Sequence, residues 1–79
     1  MSPTVFREKG YRFYFFSREE TRIHIHVSSS RGEAKFWIEP HISLAINYDL
    51  TKNDLTEIIQ IIKERRDEII DHWKEHLNS

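Results

Sequence analysis

The chain has 79 residues with no cysteine, and its 12 basic and 13 acidic side chains nearly balance. This length predicts a single domain over residues 1–79, and the composition excludes a disulfide scaffold, thiol catalysis and cysteine-based metal centres. Because no apolar run reaches the ~18 residues of a membrane span and the chain's start lacks the layout of a secretion signal, we expect a cytoplasmic protein without membrane contact.

The first residues predict β-strands. Residues 4–7 can extend, and Lys9-Gly10 gives a turn signal. The following run, Tyr11 to Ser17, is mostly aromatic. Such a run predicts a central strand that is covered on both faces.

The next segment alternates regularly between apolar and polar residues. Ile23, Ile25 and Val27 alternate with His24 and His26. Because successive side chains of a strand point to opposite faces, the branched apolar residues are expected on one face and both imidazoles on the other.

A hairpin is expected after this strand. Residues 28–32 predict its loop, with Gly32 at a positive φ. The return strand, residues 33–39, stops at Pro40 because proline cannot donate to the ladder. A further short strand is predicted over residues 41–46, and its apolar side chains are expected to face the core: Ile42, Leu44 and Ile46.

From Thr51 the apolar period becomes helical. Thr51 is a suitable N-cap, and Asp54 three residues later gives a pattern close to a capping box. An apolar stripe continues to about residue 77, which predicts one helix of roughly 40 Å.

Arg66 falls inside the stripe and is expected to reach the rim or meet a carboxylate. Ile61 falls outside it, where contact with a second chain is one explanation.

These elements predict an α+β fold. An antiparallel sheet of four to five strands would bury its branched apolar face under one long C-terminal helix. The opposite face would present polar and aromatic side chains: Arg12, Tyr14, Phe16, His24, His26, Lys35 and Trp37. This second face is the candidate functional site.

The two histidines suggest acid–base chemistry. Residues two apart on a strand stand about 6.5–7 Å apart, so the pair could hold a phosphate between them. Near neutral pH one imidazole can be neutral while the other is charged, as acid–base cleavage of a phosphodiester requires. A nearby cation could stabilise the developing charge, and an aromatic ring could stack on a base. The predicted catalytic residues are His24, His26 and Lys35, and the predicted substrate-binding residues are Arg12, Tyr14 and Trp37.

Simpler interpretations of these residues stay open. Histidines at alternate strand positions are often surface residues, and Trp37 is as readily a packing residue as a stacking one. A His-x-His strand can ligate zinc, but no third ligand is indicated, so we predict neither a metal nor a cofactor. His72 and His76, four residues apart on the helix, could form half of another metal site. The simpler explanation is that both are solvent-exposed residues on the helix surface.

Several segments together resemble a known family. They are Pro3-Thr4-Val5, the run from Gly10 to Ser17, His24-Ile25-His26-Val27 and Gly32 to Trp37, with Asn47 and Trp73 later in the chain. In this order they resemble a family of very small prokaryotic proteins, the domain of unknown function numbered forty-one sixty. The chain departs from that pattern at Arg22-Ile23, where prolines are usual, and at Asp49, where glycine is common.

The resemblance implies how the gene is arranged beside its neighbour, but it does not imply a particular reaction. Such proteins are often encoded beside another small protein, in an arrangement like a toxin–antitoxin operon. The leading hypothesis is therefore a toxin-like component that acts on RNA through the His24/His26 face, as a metal-independent ribonuclease, and pairs with a small cognate protein from the neighbouring gene. The alternative is a non-enzymatic module that docks this partner on the same face. A homodimer is also compatible with the small size of the domain.

Overall fold

The computed structural model describes residues 4–16 and 21–78. Within these residues the elements are β1 Thr4–Glu8, β2 Tyr11–Tyr14, β3 His24–Ser28, β4 Glu33–Trp37, β5 Ser43–Tyr48, α1 Lys52–Glu64 and α2 Arg66–Asn78. The strands form one antiparallel sheet in the order β1-β2-β3-β4-β5. The predicted α+β fold is confirmed. Pro3 of the resembling segments and Ser17 of the predicted second strand lie outside the described residues.

The two glycines act in different ways. Lys9 and Gly10 have φ values of 53° and 84°, which is the backbone that a tight turn between β1 and β2 requires. The prediction of a positive φ at Gly32 is wrong. A Cβ at Gly32 would overlap the backbone carbonyl oxygen of Tyr48, so this position needs glycine for space beside the end of β5.

The inner face of the sheet, which packs against α1 and α2, carries the core. Phe13, Ile25 and Phe36 are fully buried there, and Phe6 stacks on Phe13 with 4.5 Å between ring centroids. Buried residues of the two helices complete the same cluster: Ile58, Ile61, Ile62, Ile69 and Trp73. The alternation of apolar residues along β3 and β4 therefore predicts the core-facing side correctly.

The prediction for Ile61 is wrong. This residue is buried, together with Ile58 and Ile62, at the i, i+3, i+4 spacing of a core-facing helix side. Leu55 and Ile59 are only partly buried and pack at the edge of the core. The buried side of α1 is thus rotated toward Ile61, which leaves this residue no free surface for a second chain.

The single long helix is also corrected, because two helices meet at Arg65. A straight helix of roughly 40 Å would exceed the 34 Å longest dimension of the molecule. At the break, the Arg65 guanidinium donates to Glu8 of β1 at 3.0 Å and to Glu68 at 2.8 and 2.9 Å. It also lies 3.5 Å from the centre of the Phe6 ring. These contacts hold the helix junction against the β1 edge of the sheet.

Arg66 follows the junction and behaves as the sequence indicates. Its guanidinium lies 3.5 Å from the Glu39 carboxylate, and its side chain is partly exposed. The long apolar stem of arginine can cover the core while its charged end reaches a rim carboxylate. The expectation of a carboxylate partner is confirmed.

The capping box at the start of α1 is confirmed and is part of a larger network. The Asp54 carboxylate accepts hydrogen bonds from the Thr51 backbone N–H at 3.1 Å, from Arg31 at 2.9 and 3.1 Å, and from the Tyr11 hydroxyl at 3.0 Å. Burial and the hydrogen bond to Asp54 raise the pKa of Tyr11 to about 12. The network ties β2, the β3–β4 loop and α1 together.

Asp54 gives the fold a predicted pH dependence. The Arg31 hydrogen bonds, and then the Thr51 backbone N–H, hold the pKa of Asp54 well below its usual range. On acidification the Asp54 carboxyl is protonated in the unfolded chain before it is protonated in the folded one. The stabilising contribution of Asp54 is therefore complete above about pH 5 and decreases as the pH falls below that value. We expect the free energy of unfolding, from urea titrations, to fall between about pH 5 and about pH 2.

The matched variant for this prediction is Asp54→Asn. It should be less stable than the wild type near pH 7 and should show a smaller loss of stability on acidification. Other carboxylates, including Glu68, whose pKa is lowered by Arg65, leave a residual slope in both proteins. Equal slopes in variant and wild type would contradict the role given to Asp54.

Neither helix in the described part of the chain has the length and apolar character needed to cross a lipid bilayer.

Candidate functional site

The outer face of the sheet, opposite the helices, contains every residue of the predicted site. Cross-strand pairing aligns Tyr14, His26 and Lys35 in one row, which continues to Ile46 of β5. Paired residues of an antiparallel sheet share a face. The same register places the remaining predicted residues on this outer face: Arg12, His24 and Trp37.

His24 shares this face with His26 but is not open to solvent. The two rings are 5.1 Å apart between centroids, yet His24 is 1% exposed. Its Nδ1 lies 2.9 Å from the Arg22 carbonyl oxygen, and Trp73 of α2 packs against it at 5.0 Å. His24 begins β3 at the end of the sheet that α2 covers, so it has no surface with which to touch a substrate.

Tyr14 is also covered. Its ring is 6% exposed, with the Arg12 guanidinium 4.4 Å from the ring centre and the His26 ring stacked at 5.5 Å. Burial raises the pKa of Tyr14, so its hydroxyl stays protonated at neutral pH. The Arg12 Nε also donates to the Thr4 hydroxyl at 2.7 Å. Because Tyr14 is nearly fully buried beside Arg12 and His26, no nucleobase can stack on its ring in this arrangement.

Trp37 lies between two cations. The Arg22 guanidinium is 4.2 Å and the Lys35 ammonium 4.5 Å from the Trp37 rings. Such cation–π contacts are worth about 0.5–1 kcal/mol at partly exposed sites. The Arg22 Nε also donates to the Glu39 carbonyl oxygen at 3.0 Å. Trp37 thus packs under its cationic neighbours, and the packing interpretation describes it better than the stacking one.

The accessible part of the outer face is a groove beside β5. Its cavity of about 190 Å³ is lined by Phe16, His26, Lys35, Ile46 and Tyr48, among others. Tyr48 is 60% exposed and Phe16 is 43% exposed. The Phe16 ring contacts the His26 ring, with 4.4 Å between centroids. We call this set the β5 groove.

The sequence prediction of inward apolar residues in this segment holds for Ile42, which packs against the core, and fails for Ile46. The register shifts between Lys35 and Phe36, so that Ile46 pairs with Lys35 while Leu44 pairs with Phe36. The extra residue, Ala45, is a bulge that turns Ile46 to the outer face. Ile46 is exposed on the outer face, which corrects its expected inward direction. Leu44 pairs with Phe36 of the inner face, but at the edge of the sheet it is exposed rather than buried.

Charge on the outer face differs from that of the whole chain. Among the described residues, cross-strand pairing and ring contacts place four cations and one carboxylate on this face: Arg7, Arg12, Arg22, Lys35 and Glu33. The whole chain has a net charge of −1. The outer face is therefore the basic side of an otherwise slightly acidic protein.

A metal site is not formed by the residues that the structure describes. No group of three or more His, Asp or Glu side chains in residues 4–16 and 21–78 has the geometry to hold an ion. His76 instead packs against Phe15 and Trp73, at 5.3 and 6.0 Å between ring centroids.

Comparison with known proteins identifies the family. The family model described as a domain of unknown function, DUF4160, matches residues 10–74. The chain belongs to this family. Searches of the curated proteins and of the solved structures returned no significant match. The DUF4160 match spans the sheet from the β1–β2 turn onward and most of α2, so it includes both the outer face and the helices beneath the sheet.

Two positions of the family resemblance have clear structural roles. The Asn47 side chain accepts from the Leu50 N–H and donates to the Leu50 carbonyl, each at 3.1 Å. It thereby fixes the turn from β5 into α1. Asp49 in that turn has a φ of 69°, a backbone that glycine adopts most easily. Asp49 is therefore a non-glycine residue in the left-handed region of backbone space.

Proposed function

We propose that this DUF4160 protein is a non-enzymatic interaction module that docks a small cognate protein in the β5 groove. The observation that carries the proposal is the exposed apolar set that lines the β5 groove: Phe16, Ile46 and Tyr48. Contiguous exposed apolar side chains with a polar rim are typical of protein interfaces.

The contacts of the histidines weigh against the ribonuclease hypothesis. Paired acid–base catalysis needs two imidazoles within hydrogen-bond reach of the substrate, and His24 is enclosed by Arg22, Trp37 and Trp73. The rings proposed to stack on bases, Tyr14 and Trp37, are covered by neighbouring cations. A docking role uses the side chains that are exposed in this structure.

The cognate partner is proposed to be the product of the neighbouring gene. A domain of this size buries a limited share of its surface by itself, and a partner that covers the groove would add to its core. Aromatic side chains such as Tyr48 contribute strongly at interfaces because they bury a large area with few rotatable bonds.

A matched pair of variants tests the proposal. Ile46 in the groove and Leu77 on α2 are exposed to nearly the same extent, 41% and 40%. We expect Ile46→Ser to weaken binding of the neighbouring gene product about tenfold or more, and Leu77→Ser to change it less than about twofold. Calorimetric titration measures both affinities, and thermal unfolding checks that both variants fold.

The same preparations address the competing function. Free wild-type protein should leave a fluorescent single-stranded RNA intact. If no complex forms with the neighbouring gene product, or if Ile46→Ser and Leu77→Ser bind it equally well, the docking proposal is wrong. RNA cleavage that Ile46→Ser retains and His26→Ala loses would instead favour the ribonuclease hypothesis.

A further inference from the structure

We infer that the partner supplies an extended, acidic segment that pairs with the free edge of β5 as a sixth strand. This inference rests on the proposed docking function and states which part of the partner binds and with what chemistry.

The backbone of β5 provides the first argument. In the described part of the chain β5 is hydrogen-bonded on one side only, to β4. An edge strand presents a row of backbone N–H and C=O groups that can pair with another strand. Proteins usually protect such edges with charged residues, proline or bulges. Ser43–Tyr48 contains no charged residue or proline, and after the bulge at Ala45 residues 46–48 pair regularly with β4. The opposite edge, β1, carries Arg7 and Glu8.

The side chains beside this edge provide the second argument. Neighbouring strands lie about 4.8 Å apart, and every second side chain of an added strand would lie on the outer face. Those side chains would contact Ile46 and Tyr48, which are exposed on that face. Strand addition uses backbone bonds for affinity and such alternate pockets for specificity.

The charges beside β5 indicate which side chains the partner's segment carries. Lys35 pairs directly with Ile46, and the Lys35 ammonium and the Arg22 guanidinium lie over the same Trp37 ring. A segment on β5 would therefore meet Lys35 beside Ile46, with Arg22 beyond it over Trp37. The carboxylate that lines the groove, Glu33, lies at the other end, beside Tyr48. Acidic side chains are the complementary choice, because opposite charges attract and like charges are costly across an interface.

A peptide fits this surface better than a nucleic acid does. RNA is also anionic, but it has no backbone amides to continue the ladder of β5. The apolar contacts at Leu44 and Ile46 also favour a protein segment, since RNA recognition relies on stacking and phosphate contacts.

Hydrogen exchange in the complex with the neighbouring gene product tests the strand pairing. Backbone amides of β5 should exchange at least about tenfold more slowly in the complex than in the free protein, because new ladder bonds protect them. Amides at the start of α1 serve as the internal reference and should change little. A complex that forms without protection of β5 overturns this inference and leaves the docking function standing.

Charge reversal tests the acidic character. Lys35→Glu should weaken the complex about tenfold at low salt, and the loss should shrink as salt is raised. Lys63→Glu, an exposed change on α1, is the matched control and should alter affinity less than about twofold. Thermal unfolding shows whether Lys35→Glu keeps the fold. Equal effects of the two reversals, or tighter binding by Lys35→Glu, would overturn the inference. A single-stranded RNA that competes with the partner for β5 would overturn it in favour of a nucleic-acid ligand.

Discussion

Phe36→Ala is expected to lower the free energy of unfolding by about 3–5 kcal/mol, the range measured when a buried aromatic ring is removed from a core. Phe36 is 0% exposed on β4 and pairs with Ile25 of β3. Removing its ring would open a cavity between the sheet and the helices. A domain of 79 residues typically has about 4–12 kcal/mol of stability in total, so this variant should lose a large fraction of the stability of the fold.

Phe16→Ala is the control with the same chemical change. Phe16 is exposed at the rim of the β5 groove, so its loss should cost less than about 1 kcal/mol of stability. Urea unfolding of both variants gives the comparison. Similar losses for Phe36→Ala and Phe16→Ala would show that the inner face of the sheet is not the core.

His24→Ala is expected to lower the free energy of unfolding by about 3 kcal/mol, at the upper end for single substitutions. The His24 ring fills space between His26, Trp37 and Trp73, and its Nδ1 lies within hydrogen-bond distance of the Arg22 carbonyl oxygen. Truncation would remove this packing and leave the junction between β3 and α2 loose. Urea unfolding at neutral pH measures the loss.

His26→Ala separates a structural from a catalytic role. His26 is partly exposed in the groove, so its truncation should cost less than half as much stability as that of His24. A catalytic pair would behave differently: either substitution would abolish RNA cleavage while both proteins stayed stable. That outcome would restore the ribonuclease hypothesis.

The sheet could be predicted from sequence because its signals are local. Period-two alternation assigns Ile25 and Val27 to the core, and Lys9-Gly10 marks a turn by its backbone preference. The capping pair Thr51 and Asp54 likewise fixes the start of α1 from residues three apart. Each of these patterns needs only neighbours along the chain.

The remaining features depend on contacts between distant residues. The helix break at Arg65 involves Glu8, 57 positions earlier. Helix propensity depends only on residues close in the sequence, so it cannot predict this contact. The bulge at Ala45 moves Ile46 to the outer face, and a slip of one residue reverses every following side chain. His24 is buried by Trp73, which lies 49 residues later in the sequence. The sequence therefore predicted the face of the site but not which of its residues are accessible.

One NMR experiment tests the central claim, that a partner protein docks at the β5 groove, most directly. Isotope-labelled protein would be titrated with the product of the neighbouring gene, and the changes in amide chemical shift would be mapped on the fold. We predict that the largest changes lie in β5 and around Lys35 and His26, with little change in the solvent-facing residues of α1 and α2. Changes centred on the helices, or no change at all, would contradict the account.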